Sequence, residues 1–414
     1  MQSLKKPGLV LTLVLILCLT NSFVESRRSK RWRKAVHLSL HRERNHTKTL
    51  HSFNGQKQRL KEKLNPSAFA VTNPNQAIAN LLNSHNTEYY VKAYFGTPLT
   101  QQVTLLVDTA SANLLAYSTN FTKNSCKNHN GYNSSLSTTY QGIGTPFQIK
   151  YASTDTLTGF LSTDTLTLAD LSVTNQTFAE IESAPQVLCN RSNFDGILGL
   201  GLSEIAIDGV PTPLDNMIAQ GVLNNPIFAF YVNRNASDAG NGGVLLLGGS
   251  DPTLYSGCLT YVPLSKVGFW QINVPKINIG SKKLCTNCQA ILDVGTSLII
   301  VPCPALQIIN KQLGLKSTDK QNGVYIIDCN KVSSLPDVVL NIGWKDFTLT
   351  PSDYVLNYSG TCVSGFASLD DCSGDTDDFG DNLNDIWILG DVFFGAFYLL
   401  FDFGLKLIGI APKA

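Results

Sequence analysis

Apolar and polar residues alternate in short runs along most of the chain, and turn-forming residues punctuate them. Glu88-Tyr-Tyr-Val-Lys-Ala-Tyr-Phe95 alternates and stops at Gly96-Thr-Pro98, while Val103 to Val107 is a compact apolar run that ends on Asp108. Similar runs rich in Val, Ile, Thr, Tyr and Phe, bounded by Gly, Asn, Ser and Asp, recur to the C-terminus. A period of two predicts half-buried strands, so the chain reads as mostly β. Helical signals are short; Pro213 to Gln220 and Pro304 to Leu313 are the best of them. Gly240 to Gly249 reads as a hairpin. The most apolar stretch, Ile386 to Phe401, contains Asp391 and reads as core strands. No stretch beyond the N-terminus offers 18 uncharged apolar residues, so no membrane span is expected.

Superimposed on this pattern is an internal repeat. Leu105-Leu-Val-Asp-Thr-Ala-Ser111 is echoed by Ile291-Leu-Asp-Val-Gly-Thr296: an apolar strand, an aspartate, then a small-residue turn that carries a hydroxyl. Each unit has a second matched phrase. Asp195-Gly-Ile-Leu-Gly199 ends 91 residues after Asp108, and Ile386-Trp-Ile-Leu-Gly390 ends 97 residues after Asp293. Two phrases repeated in the same order at similar spacing imply two related lobes whose Asp-turns can meet at their interface.

Length agrees, because 414 residues exceed what one ordinary core serves. Charge adds a further division. Residues 27–63 hold thirteen Lys/Arg against two acids, Glu43 and Glu62, whereas from residue 64 onward 17 Lys/Arg face 28 Asp/Glu. The basic stretch is expected to belong to something acidic, and the nearest acidic partner is the rest of the chain. A solvated tail or a nucleic-acid arm is the competing reading of such a run. Ahead of it, Lys5 and Lys6 precede an apolar run from Leu9 to Leu19, then small and polar residues to Ser26. That order is a secretory signal peptide, too short to span a bilayer. Nine of the ten cysteines remain after Cys18 leaves with it, and an oxidising compartment should pair most of them. Seven Asn-x-Ser/Thr sequons, at Asn45, Asn120, Asn133, Asn175, Asn190, Asn235 and Asn357, fit passage through the secretory route.

Two carboxylates brought together from equivalent turns make an acid/base pair. Like charges a few ångströms apart cannot both ionise cheaply, so the pair shares a proton. The charged member can then take a proton from water while the protonated one polarises a carbonyl. Hydroxyls at Ser111 and Thr296 can donate to the outer oxygens. A zinc reading of Cys285-x-x-Cys288 would need two further clustered ligands, and no histidine follows His129. Gly196-Ile-Leu-Gly-Leu-Gly201 has its glycines in the wrong order for a dinucleotide fingerprint.

From about Glu88 to Ala411 the chain resembles a pepsin- or cathepsin D-type aspartic peptidase. The matching phrases are Val107-Asp-Thr-Ala-Ser-Ala-Asn-Leu114, Phe194-Asp-Gly-Ile-Leu-Gly-Leu200, Leu246-Leu-Gly-Gly-Ser-Asp251, Gln289-Ala-Ile-Leu-Asp-Val-Gly-Thr-Ser297 and Trp387-Ile-Leu-Gly-Asp-Val-Phe393. The resemblance implies a bilobal, mostly β fold of two related β-barrel lobes with a cleft between them. It implies an endopeptidase that hydrolyses protein and peptide substrates by activated water at acid pH, with neither metal nor cofactor. Asp108 and Asp293 would be the catalytic pair, supported by Ser111, Thr296, Thr109 and Gly295. Tyr151 would be the tyrosine of a substrate-covering flap, with Ser153 at its tip. Cys285 with Cys288, and Cys329 with Cys362, occupy the places of two disulfides of the family; Cys126, Cys189, Cys258, Cys303 and Cys372 stay unassigned.

The implied organisation is a signal peptide over 1–26, a basic propeptide over 27–80 that inhibits its own enzyme, an N-terminal lobe over 81–262 and a C-terminal lobe over 263–414. Ala35-Val-His-Leu-Ser-Leu40 looks like the propeptide's first strand. Acid would protonate the carboxylates that the Lys/Arg clamp and so loosen it. A monomer that travels the secretory pathway to the lysosome or the exterior is expected, without nucleic-acid partners.

Four positions depart from the family's pattern. Ala110 stands for Gly in the first Asp-turn, and Val294 stands for Thr in the second, which is expected to strand a buried polar group. Leu115 replaces the Trp that steadies the flap tyrosine, and Tyr151-Ala-Ser-Thr-Asp155 lacks the flap's glycines. The alternatives to an active protease are therefore a weak or inactive homologue that binds peptides in the cleft, and a scaffold used only for interaction.

Overall fold

The computed structural model describes residues 76–84, 86, 88–121, 129–151, 156–185, 188–189, 193–234, 240–321, 323–358, 360–369, 372 and 386–414. The expected signal peptide and all but the end of the expected propeptide lie outside these residues, as do Ser153, Asn45, Asn190 and Asn235.

Strands dominate, as the alternation predicts. The first half contributes β1 (Ala77–Ser84), β2 (Glu88–Phe95), β3 (Gln101–Asp108), β4 (Leu114–Tyr117), β5 (Gln141–Lys150), β6 (Thr156–Leu168), β7 (Leu171–Ser183) and β8 (Gly196–Gly199). After a helix over Pro213–Ala219 come β9 (Ile227–Val232) and β10 (Gly243–Leu247). The second half holds β11 (Thr260–Pro263), β12 (Gln271–Ile279), β13 (Lys282–Leu292) and β14 (Ile299–Ile300), then a helix over Cys303–Gln312. Short strands β15 (Lys320–Gln321) and β16 (Val324–Ile327) lead to β17 (Val338–Ile342), β18 (Lys345–Leu349), β19 (Val355–Tyr358), β20 (Thr361–Ser364) and β21 (Phe366–Ala367). The last four elements are β22 (Ile386–Leu389), a helix over Asp391–Ala396, β23 (Phe397–Asp402) and β24 (Leu407–Pro412).

Both expected helices are present within a residue of their predicted bounds. Thr212 and Asp215 cap the first reciprocally, each side chain bonding the other's backbone N–H, and Pro213 occupies its first turn. Ile386 to Phe401 is not strand throughout, because a six-residue helix over Asp391–Ala396 separates β22 from β23. The break follows Gly390, where a side chain would sit 2.1 Å from Thr296 O and 2.2 Å from Leu298 O. Gly240 to Gly249 contains β10, whose hairpin partner β9 lies wholly upstream.

The internal repeat reappears as topology. In the first half β3 runs parallel to β8, which pairs antiparallel with β4, which runs parallel to β7. In the second half β13 runs parallel to β22, which pairs antiparallel with β14, which runs parallel to β21. A 13-stranded sheet ordered β11-β24-β23-β9-β10-β1-β2-β3-β8-β4-β7-β6-β5 joins strands of both halves, while a seven-stranded sheet is built from the second half alone. Between the halves lies an aromatic core. Phe228 and Phe401 stack at 4.8 Å, and Trp270 meets Phe401 edge-on at 5.0 Å.

Three disulfides are paired among the described residues. Cys285–Cys288 and Cys329–Cys362 match the resemblance, and Cys303–Cys372 is an additional one. With their sulfurs bonded to each other, Cys285 and Cys288 are not thiolate ligands, so the zinc reading lapses. Cys189 is also disulfide-bonded. Cys303–Cys372 spans 69 residues and ties the start of the Cys303–Gln312 helix to the segment after β21. Closing a loop of that length removes about 4 kcal/mol of unfolded-chain entropy. Cys303→Ser/Cys372→Ser should therefore lower the unfolding midpoint by several degrees in a thermal melt, while leaving the strand content by circular dichroism unchanged.

Candidate active site

Each Asp-turn lies where a buried strand gives way to a loop, beside a strand that carries a glycine or is followed by one. Asp108 ends β3 opposite Gly199 of β8, and the N–H of Leu200 donates to Asp108 O at 2.7 Å. A side chain at Gly199 would meet the backbone of Ala112 and Asn113 at 2.5–2.7 Å, so only glycine lets the strand pass. Asp293 follows β13, and its own N–H donates to Leu389 O of β22 at 3.1 Å. Trp270 links the two turns. Its indole N–H donates to Leu200 O at 2.9 Å, and its carbonyl accepts from Leu292 N at 3.0 Å.

The carboxyl groups meet. Asp108 and Asp293 are each 6% exposed, and the charge of Asp108 acts on Asp293. Both flank Gly295, where a Cβ would lie 2.8 Å from Asp108 Oδ1 and 3.1 Å from Asp293 Oδ1. Gly295 is itself exposed, so the pair opens to solvent there.

The donors around the two are unequal. Asp108 Oδ1 accepts from Ala110 N at 2.8 Å and Ser111 N at 3.2 Å, and Asp108 Oδ2 accepts from the Ser111 hydroxyl at 2.5 Å. Asp293 accepts from Gly295 N at 2.8 Å and from the Thr296 hydroxyl at 2.5 Å. Burial raises the pKa of both. Asp293, with one donor fewer and the Asp108 charge beside it, is pushed up to about 7. The donors to Asp108 oppose its rise. One proton is thus retained between the two well above the ordinary carboxylate range, and Asp293 is its better holder.

Val294 strands nothing at Thr109, contrary to expectation. The Thr109 hydroxyl donates to Leu292 O at 2.9 Å and accepts from Val294 N at 3.1 Å, so its partners are backbone atoms of the opposite turn. Val294 itself is fully buried in the main apolar core. Ala110 is also accommodated, since it is not among the residues with left-handed backbone and it donates to Asp108 like its neighbour.

Tyr151 follows β5 of the β5–β6 hairpin, as the flap reading requires. Its hydroxyl is shut away from solvent beside Ser111 and Asp108, without a hydrogen bond of full geometry. Burial and the Asp108 charge hold the phenol well above its usual pKa. Leu115, fully buried, sits in an apolar cluster with Tyr117, Phe147, Ile149 and Leu157, and Tyr151 packs on that cluster. Of the sequons in described residues, Asn120, Asn175 and Asn357 are exposed and Asn133 is half-buried.

Sequence reasoning missed three features. Trp270 carried no motif. Asp391, part of the last matched phrase, is 1% exposed, and neither carboxyl oxygen has a hydrogen-bond partner among the described residues. Burial first and the Asp293 charge second hold its pKa well above normal, against the Arg234 charge, which lowers it. Arg234 passes Gly395, where a Cβ would fall 1.8 Å from Arg234 Cδ, and its guanidinium donates to Asp353 O. Finally, His129 and Asp195 approach to 3.7 Å beneath Tyr117, and that contact raises the histidine pKa.

A family model described as eukaryotic aspartyl protease matches residues 88–413. Cathepsin E of Aquarana catesbeiana is 40% identical over 346 residues, covering 83% of this chain and 84% of that protein. Probable vacuolar protease A of Trichophyton verrucosum is 36% identical over 343 residues, covering 83% and 82%. Napsin-A of Mus musculus is 36% identical over 405 residues, covering 96% and 92%.

Two predictions follow the geometry. Thr109→Val leaves Leu292 O and Val294 N buried without their partner, and should cost about 2–4 kcal/mol in denaturant unfolding. The second concerns pH. Asp293 and Asp391 bind protons more tightly folded than unfolded, so the stability they lend is present below about pH 4 and is lost as pH rises, through about 7 for Asp293. His129, also raised, acts in the same sense, whereas lowered Asp195 acts in the opposite one. Melting temperature should fall from pH 4 to 7, and Asp391→Asn should flatten that fall.

Proposed function

This chain belongs to the eukaryotic aspartyl protease family, and we propose that Asp108 and Asp293 are the pair with which it, as an aspartic endopeptidase, hydrolyses peptide bonds. One observation carries the assignment: two buried carboxyl groups from equivalent turns converge on a single solvent-facing glycine. A water held between them loses a proton to charged Asp108 as its oxygen attacks the scissile carbonyl carbon. Protonated Asp293 donates to the carbonyl oxygen as that oxygen gains negative charge. Breakdown of the tetrahedral intermediate breaks the C–N bond, delivers a proton to the leaving amine and returns the pair to its starting state. Ser111 and Thr296 hold the outer oxygens, and Thr109 fixes the relative height of the two turns.

Tyr151 would have to lift from beside Ser111 when a peptide enters, and close over it afterwards. The reading of a homologue that only binds peptides gains no support from Val294 or Ala110, because neither disturbs a proton-transfer group. The chain would travel the secretory route, and Asn120, Asn175 and Asn357 offer accessible sites for glycans. The basic segment over 27–80 would act as an intramolecular inhibitor at neutral pH and be released in acid. Monomeric action suits the chain, since both aspartates come from it.

Acidifying the purified precursor should remove the basic segment and give cleavage of an unfolded protein substrate. Asp293→Asn should abolish cleavage, with kcat/KM lower by about 10³-fold or more. If the wild-type protein binds a transition-state-like peptide inhibitor yet never cuts, the assignment of this pair as a working catalyst fails.

A further inference from the structure

Outside the cleft, the two most exposed of the large apolar side chains described are Trp344, at 84%, and Leu405, at 68%. Trp344 sits in the turn between β17 and β18, and Leu405 in the turn between β23 and β24. The two turns are neighbours. Gly343 lies against the side chains of Thr260 and Val262 in β11, with 2.8 and 2.9 Å to an added Cβ. On the adjoining edge β11 pairs with β24, Val262 opposite Ile408 and Pro263 opposite Leu407, and Leu264 N donates to Lys406 O at 3.1 Å. The first tip thus packs over Thr260 and Val262 and the second lies beyond Leu264, so both border β11.

Neither tip is what a turn alone would favour. Gly343 and Trp344 have φ of +57° and +67°, a pair of left-handed residues for which Asn and Gly are preferred. Tryptophan there is strained and wet at once, and contributes nothing to the core. A lysine follows each apolar residue. Lys345 Nζ lies 5.5 Å from the Phe347 ring centre and Lys406 Nζ lies 4.2 Å from that of Phe403, and neither is in an ion pair among the described residues. The same turns also hold Asp346, which accepts from Asn341 Nδ2 at 2.7 Å, and Asp402, which accepts from Leu405 N at 2.7 Å.

We propose that these two hairpin tips form a docking surface for an anionic phospholipid membrane, with Trp344 and Leu405 entering the headgroup layer and Lys345 and Lys406 meeting lipid phosphates. The shape favours this occupant. Paired convex points, each an apolar residue with an adjacent cation, suit a soft interface better than a protein groove. Tryptophan is the side chain that settles where apolar and wet regions meet, and lysine stems lie along apolar surface while their heads reach anions. Residues from 64 onward carry more acids than bases, so attraction to such a membrane would come from this patch and not from overall charge.

The test uses the full chain and its acid-matured form with vesicles of phosphatidylcholine alone or mixed with phosphatidylserine. Trp270 and Trp387 are buried, so a Trp32→Phe background leaves Trp344 as the exposed indole. Its emission should shift to the blue and be quenched by brominated lipid on serine-containing vesicles. Trp344→Gly combined with Leu405→Ser should weaken co-sedimentation by about tenfold or more. Glycine also relieves the left-handed strain, so loss of binding cannot be put down to misfolding. Lys345→Glu/Lys406→Glu should abolish the preference for phosphatidylserine. Hydrolysis of a soluble peptide should be unchanged in every variant. The proposal is overturned if wild-type protein shows neither spectral shift nor co-sedimentation. It is equally overturned if sedimentation equilibrium shows self-association that Trp344→Gly abolishes, for then the tips cover a second copy of the chain.

Discussion

Two carboxyl groups are held side by side out of water, and much of this structure exists to keep them there. Left alone, each would favour the proton and neither would work. The fold divides the burden unequally: three donors to Asp108 and two to Asp293 let one side carry charge while the other stays protonated. That division depends on ångström-level placement of turns separated by 185 residues of sequence, and short-range propensity cannot supply it.

Placement is supplied by backbone. Thr109 bonds two main-chain atoms of the opposite turn, and Trp270 holds the strand beside Asp108 and the residue before Asp293 with a donor and an acceptor of its own. Neither contact depends on the side chain at position 294. That is why replacing a hydroxyl with Val294 leaves Thr109 satisfied, and why a substitution that looks damaging in the sequence is quiet in the fold. Behind the pair, Asp391 adds a third buried carboxyl with the Arg234 charge acting on it, so the rear of the site also prefers acid.

Legibility followed the range of the interactions. The Asp-turns, the Gly-bearing strand β8 and Gly390 after β22 could be read because close backbone approach restricts them to a few small residues, and the repeat displayed that restriction twice. Fold class was likewise visible in the period-two runs. Cys303–Cys372 could not be read, since 69 intervening residues leave its partner to tertiary packing. The helix over Asp391–Ala396 was hidden because an apolar run buried on all sides has no period to show. Trp270 was invisible for a related reason: a core indole and a structural peg have the same sequence signature.

The arrangement of β22, β23 and β24 constrains how the molecule comes into being. Asp293 waits for Leu389 before its turn is anchored, and β9 waits for β23, which is translated about 170 residues after it. Neither half can finish on its own as synthesis proceeds. A nascent chain would thus carry no assembled dyad during most of its time on the ribosome, so a destructive enzyme becomes competent only after nearly all of it has been made.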